Sequence, residues 1–221
     1  MKLLFQALIK FISGILFVGL LLFLPAGTLH YPCGWLFTGL LFVPMLLLGT
    51  ILFFKAPALL EKRLNSKEKE NAQKGIVALS ALGFLAGFIT AGLDFRFGWS
   101  QIPIPVIVIA ALLFLFGYVL YAEVMRENTY LSRTVEIQED QMVIDSGLYG
   151  IVRHPMYLAT LLLFLSMPIL LGSWYSLIVF LHYPLLIILR IRNEEKVLEE
   201  GLAGYKEYKK KVPYRILPFI W

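Results

Sequence analysis

IPIPVIVIAALLFLFGYVLYA, residues 102–122, holds no charged side chain. A helix needs about 20 apolar residues to cross the hydrocarbon core of a bilayer, so this run predicts a transmembrane helix. Pro103 and Pro105 fall in its first turn, where a missing N–H is harmless. Working outward, residues 3–24 read the same way, with Lys10 the only interior charge. Residues 35–54 follow, and residues 76–93 form a shorter uncharged run. Toward the other end, residues 156–171 and 174–189 are apolar, with Gly172-Ser173 as a turn between them. Sixteen residues of helix rise only about 24 Å, so this pair reads as a short, tilted or partly re-entrant hairpin. The pattern is that of an all-α integral membrane protein with about six transmembrane helices.

Composition agrees. Of 221 residues, 59% are hydrophobic, against about 45–50% in soluble domains. Only 16% are charged, and these cluster between the runs. The formal net charge of +5 sits beside apolar spans, so anionic lipid headgroups, not nucleic acid, are the expected partners. Cys33 is the single cysteine, which excludes an internal disulfide and a cysteine-based metal cluster. Residues 1–24 carry an apolar stretch too long for a signal peptide and are expected to remain as a span.

Charge sets the expected orientation. The loop 55–74 carries Lys55, Lys62, Arg63, Lys67, Lys69 and Lys74. The tail carries Lys196, Lys206, Lys209, Lys210, Lys211 and Arg215. Loops 25–34, 94–101 and 172–173 hold one basic residue, Arg96. The positive-inside rule therefore puts the loop 55–74, the segment 123–155 and the tail in the cytosol. Two regions follow: N-terminal transmembrane helices over 1–122, and a polar region with the hairpin and tail over 123–221. Alternation over 134–138, then Gln141-Met142-Val143-Ile144, predicts a small extended element capping the cytosolic mouth of the bundle. From Arg190 the tail reads as helix leaving the last span. Gly201 and Gly204 loosen it, and Pro213 and Pro218 end regular structure.

Three polar features lie near the membrane surface. Arg153-His154-Pro155-Met156-Tyr157 precedes the fifth span. Its bland reading is interfacial anchoring, with a snorkelling Arg and a headgroup-level Tyr. Its functional reading puts His154 and Tyr157 on a cytosolic pocket. Arg190 and Glu194 are four apart and share a helix face, with Glu195 beside them. Arg before Glu is the weaker order for helix support, which favours another role. Tyr205 and Tyr208 are three apart and could present one aromatic face, while the lysines around them suit a basic lipid-facing tail. His30 and His182 stand alone, and Asp94 and Arg96 lie on the outer side. Three scattered histidines make no metal site. The sequence contains no H-E-x-x-H, G-x-G-x-x-G, Walker loop or nucleophile elbow.

In order, Ser146-Gly147-Leu148-Tyr149, Arg153-His154-Pro155-Met156-Tyr157, Arg190 with Glu194-Glu195-x-x-Leu198, Tyr205-x-x-Tyr208-Lys209-Lys210-Lys211-Val212-Pro213 and Leu217-Pro218-Phe219-Ile220 resemble the isoprenylcysteine carboxyl methyltransferase family. The resembling part runs from about residue 134 to 219, and the first four spans carry no specific resemblance. The R-H-P-x-Y element alone is shared by several membrane methyltransferases and by sterol reductases. The resemblance implies an enzyme that uses S-adenosyl-L-methionine without a Rossmann domain and takes a lipophilic, prenylcysteine-like substrate from the bilayer. It implies that Gln141, Met142, Val143, Ile144, Tyr149, His154, Pro155, Met156 and Tyr157 line the cofactor. Glu194 would hold a polar end of it, and Arg190 would hold the substrate carboxylate. Asn193 stands where many members have an acidic residue, and Gln138 falls in a gapped stretch.

The residue types suit that chemistry. A carboxyl group with a pKa near 4 is already ionised, so its methylation needs no general base. It needs alignment and exclusion of water. Arginine can grip one carboxylate oxygen, and aromatic faces suit a sulfonium. Other readings are a phospholipid N-methyltransferase, a thiol S-methyltransferase, a sterol-type reductase with a nicotinamide cofactor, and a non-enzymatic membrane protein.

Overall fold

The computed structural model describes residues 2–64, 71–132, 134 and 137–221. Nine α-helices appear among the described residues. They are α1 (Lys2–Ala26), α2 (Pro32–Lys55), α3 (Pro57–Leu64), α4 (Asn71–Phe97), α5 (Ile104–Glu127), α6 (Pro155–Leu170), α7 (Trp174–Phe180), α8 (Tyr183–Gly201) and α9 (Tyr205–Lys211). Four of the long helices, α1, α2, α4 and α5, are long and apolar enough to cross a membrane. The near-continuous α7–α8 stretch, Trp174–Gly201, is the fifth, and α6 is a shorter apolar helix. The protein is an all-α integral membrane protein. Its outer surface is apolar, with Phe5, Leu16, Leu24, Phe54, Ile104 and Val119 all exposed. In a soluble protein such a surface would aggregate; in a bilayer it meets lipid of equal polarity.

The hairpin turns at Gly172, whose φ of +77° suits glycine alone. Its arms run antiparallel. Tyr157 at the start of α6 packs with Ile187 and Ile191 late in α8, and Leu171 at the far end meets Phe180 and Tyr183. The second arm continues as helix to Gly201, as expected of the chain leaving the last span at Arg190, and buries Ile191 and Glu195 in this part.

Packing of the bundle centre is largely aromatic. Phe37, Phe88, Phe114, Phe180 and Tyr183 are buried together. Gly83 and Gly87 lie four apart on α4, where α7 and α8 approach. A Cβ at Gly83 would come 2.1 Å from the His182 ring, and one at Gly87 would come 2.1 Å from the Phe180 ring. The small-x-x-x-small pattern thus lets two rings sit on the α4 backbone. His182 otherwise bonds to the Val179 carbonyl oxygen at 2.5 Å, inside its own helix break.

Two expectations change. The loop after α2 contains the short helix α3, whose Leu59 and Leu60 are buried. The expected extended element is irregular chain. Val135 and Glu136 lie outside the described residues, and residues 141–145 have no strand pairing. Side chains hold this segment instead: the Gln138 N–H donates to Gln141 Oε1 at 2.9 Å, and Tyr130 Oη donates to the Asp140 carbonyl at 3.1 Å. Asp140 adopts φ +55°, which breaks any strand alternation.

Candidate active site

At the end of the bundle where α5, α6 and α8 emerge, a cavity of about 110 Å³ opens between the irregular segment, α6, α8 and α9. Of the residues singled out from the sequence, Gln141, Met142, Val143, Ile144, Tyr149, His154, Met156, Tyr157, Arg190 and Glu194 line it together. Pro155 does not. It is buried in the first turn of α6, where its fixed φ starts the helix.

Glu195 supports the wall. It is 3% exposed. Its Oε1 accepts from Arg153 Nε at 2.7 Å and from His154 Nε2 at 3.2 Å. Its Oε2 accepts from Arg215 Nε at 3.0 Å, with Lys209 Nζ at 3.8 Å. Arg153 also donates to the Val212 carbonyl at 2.6 Å. The backbone N–H groups of Arg153 and His154 donate to the carbonyls of Tyr214 and Arg215 at 2.9 and 2.8 Å. One buried carboxylate therefore clamps the R-H-P element, α8 and the tail. Isolated, it would be expensive to bury; paired with cations and hydrogen-bonded, it is tolerated.

Glu194, one residue earlier, is turned about 100° around the helix and faces the cavity. Tyr157 Oη donates to Glu194 Oε2 at 2.5 Å and accepts from Arg190 Nε at 2.9 Å. The chain Arg190–Tyr157–Glu194 thus lies on the cavity wall. The backbone of Arg190 is held in turn: its carbonyl accepts from Gln73 Nε2 of α4 at 3.3 Å.

The opposite wall rests on Gly147. Its φ of +56° favours glycine, and a Cβ there would stand 1.8 Å from the Glu127 carboxylate and displace it. Glu127 accepts from the Leu148 N–H at 2.9 Å and starts the 3-10 turn Gly147–Gly150. Tyr149 then points at Asn128, whose Nδ2 donates to its hydroxyl at 3.0 Å. Tyr208 Oη donates to the Tyr149 carbonyl at 2.7 Å. Burial pushes the phenols of Tyr149, Tyr205 and Tyr208 above their ordinary range, so each is a neutral O–H at physiological pH.

Sequence reasoning left several wall residues unassigned. Arg153 belongs to the motif already noted, and Tyr205 and Tyr208 carried a spacing signal; their rings lie 5.7 Å apart. Asn128 and Thr134 carried none, since they reach the cavity only through the path of the irregular chain.

An all-helical membrane bundle with a polar, part-aromatic cavity at one end of its last helices is the class that fold and site define. Residues 105–204 match the family described as "Phospholipid methyltransferase". This stretch runs from α5 to the start of α9, and the likeness supports a membrane methyltransferase. The chain is also 28% identical to the mouse (Mus musculus) Delta(14)-sterol reductase TM7SF2 over 136 residues, 55% of this chain and 32% of that protein. It is 28% identical to the Arabidopsis thaliana Delta(14)-sterol reductase over 132 residues, 55% of this chain and 36% of that protein. The chain spans about a third of the length of these curated relatives.

Proposed function

We propose that this protein is an S-adenosyl-L-methionine-dependent membrane methyltransferase. In this reading it esterifies the carboxylate of a lipophilic, isoprenylcysteine-type acceptor that enters from the bilayer. The charge pattern of the loops favours a cytosolic site. The observation that carries the reading is the Arg190–Tyr157–Glu194 chain on the cavity wall. It offers a carboxylate for a cationic cofactor and a guanidinium for an anionic acceptor within one turn of helix.

The wall fits such a cofactor. Glu194 suits an ammonium group, and the faces of Tyr149 and Tyr157 suit a positive sulfonium. When bound, the cofactor supplies an electrophilic methyl group. Arg190 would hold one acceptor oxygen and leave the other directed at that methyl. Tyr157 keeps Arg190 and Glu194 in register, and the buried wall limits water. No residue is required to remove a proton, because the acceptor is already an anion.

The family match favours a second acceptor, the amine of a phospholipid headgroup. The sterol reductase relatives favour a third reading, with a nicotinamide dinucleotide. Against the third, a wall carboxylate opposes a phosphate-bearing cofactor. In addition, Arg153 is already engaged by Glu195 and the Val212 carbonyl.

Isothermal titration of detergent-purified protein with S-adenosylhomocysteine tests the cofactor. Saturable binding is expected, with at least about a 30-fold loss in Glu194→Ala, as for a buried charge pair losing one partner. Labelled methyl transfer to a farnesylcysteine, to phosphatidylethanolamine and to a small thiol then separates the acceptors. Arg190→Ala is expected to raise the acceptor KM while keeping cofactor affinity. Equal loss of cofactor affinity in Arg190→Ala would sink that division of roles.

A further inference from the structure

The end of the bundle away from the cavity carries a groove of about 420 Å³, lined by Trp99, Ser100 and Gln101 after α4 and by Trp174, Tyr175 and Ile178 of α7. Its rings are open: Trp99, Trp174 and Tyr175 are each between 40% and 50% exposed. They stand where one span ends, at Phe97, and the next begins, at Trp174. The chain beneath them is fixed. Ser100 Oγ donates to Asp94 Oδ2 at 2.5 Å and accepts from the Trp174 N–H at 3.1 Å. The Trp99 and Tyr175 rings meet at 65° with centres 5.7 Å apart, which makes a corner and not a stack. Phe97 stacks on Trp99 at 5.5 Å, and the Arg96 guanidinium lies over Phe97, 5.6 Å from its centre.

A belt of Trp and Tyr at span ends is common and by itself names no ligand. Two features go further here. Ring faces set at a corner attract a cation, and a guanidinium one ring beyond them attracts a phosphate. Loops 25–34, 94–101 and 172–173 hold Asp94 and Arg96 as their only charged side chains. Asp94 is buried, so Arg96 is the one exposed charge of these loops. An anionic lipid would call for a cluster of basic residues. A single guanidinium beside an aromatic corner matches a headgroup that carries one phosphate and one ammonium.

We propose that this groove binds the headgroup of a zwitterionic phospholipid in the leaflet opposite the cavity, with the ammonium in the Trp99–Tyr175 corner and the phosphate on Arg96. The site is independent of the cofactor and acceptor readings above, and its lipid is a bound neighbour, not a methyl acceptor.

The test is thermal unfolding of the full chain in maltoside detergent, titrated with dihexanoylphosphatidylcholine and, separately, with dihexanoylphosphatidylglycerol. The choline lipid should raise the melting temperature saturably, and the glycerol lipid should need at least about a threefold higher concentration. Trp99→Leu and Tyr175→Leu should each weaken the choline lipid about three- to tenfold, whereas Tyr175→Phe, which keeps the ring, should not. Arg96→Gln should weaken both lipids, because both carry the phosphate. If Trp99→Leu unfolds early without lipid, the contrast between Tyr175→Leu and Tyr175→Phe decides. Equal affinity for the two lipids, or unchanged choline-lipid affinity in Tyr175→Leu, reduces the groove to an interfacial belt and overturns the site. A lipid effect lost in Glu194→Ala and kept in Tyr175→Leu would put the lipid in the cavity and overturn it too, as would no stabilisation of folded wild type.

Discussion

Among the described residues, each end of this membrane bundle buries one carboxylate, and the two are held in different ways. At the end away from the cavity, Asp94 is 1% exposed and is met by neutral donors. Its Oδ1 accepts from the Ser100 N–H at 2.8 Å, and its Oδ2 accepts from Ser100 Oγ and Ser173 Oγ, both at 2.5 Å. This knot ties the end of α4 to the hairpin turn, and Ser173 also caps α7 through the Ser176 N–H at 2.9 Å. At the cavity end, Glu195 is met by guanidinium, imidazole and ammonium groups. The hydroxyl-held carboxylate fastens two neighbouring loops. The cation-held carboxylate gathers three distant parts of the chain and leaves the next position on the helix, Glu194, facing the cavity. A neutral clasp fastens the fold, whereas a charged clamp also shapes the cavity.

Breaking the clamp should have the largest effect. Glu195→Gln leaves Arg153 and His154 buried with an incomplete partner, and a loss of about 3–5 kcal/mol is expected. Thermal unfolding in detergent would show it, together with loss of S-adenosylhomocysteine binding. Breaking the clasp should cost less. Asp94→Ala strands three donors and is expected to cost about 1–3 kcal/mol, while leaving the affinity for S-adenosylhomocysteine within about twofold, since additivity holds for distant sites. A matching fall in affinity would mean that the two ends are coupled, and the contrast would not stand.

The smallest effect concerns the exposed edge of the site. Lys211 donates to Asp145 Oδ2 at 2.6 Å, and this bond, with the lysine charge, holds the Asp145 carboxyl below its usual range. A depressed carboxylate pKa stabilises the fold above the unfolded value of about 3.9, and this contribution is lost as pH falls through the folded value. The pair is solvent-exposed, so salt should screen it. Lys211→Met should therefore flatten the acid limb of the melting-temperature profile slightly at low ionic strength and leave it unchanged at 1 M salt.

Much of this was legible along the chain. Apolar runs located the spans because a bilayer demands length and low charge over a continuous stretch. The i,i+4 spacing of Arg190 and Glu194 put both on one face, and they do line one cavity. The irregular segment was misread. Alternation over 134–138 and the run 141–144 suggested an extended element; Val135 and Glu136 lie outside the described residues, and beyond them side chains of Gln138, Gln141 and Tyr130 take up backbone groups in place of a strand ladder. The short helix α3 was missed because eight residues with two buried leucines give too little periodicity to detect.

The sequence by itself determined an apolar bundle with a hairpin, and the order of polar motifs that resembles a methyltransferase. Only the tertiary structure decided which of two adjacent glutamates clamps the fold and which faces the cavity. It also decided which buried phenol, Tyr205, has no hydrogen-bond partner among the described residues. The reason is physical. Local periodicity records which residues share a helix face, but Arg153 meets Glu195 across 42 positions and Tyr208 meets Tyr149 across 59. Such pairings are set by how the tail folds back on α6 and α8, and no repeat in the sequence encodes them.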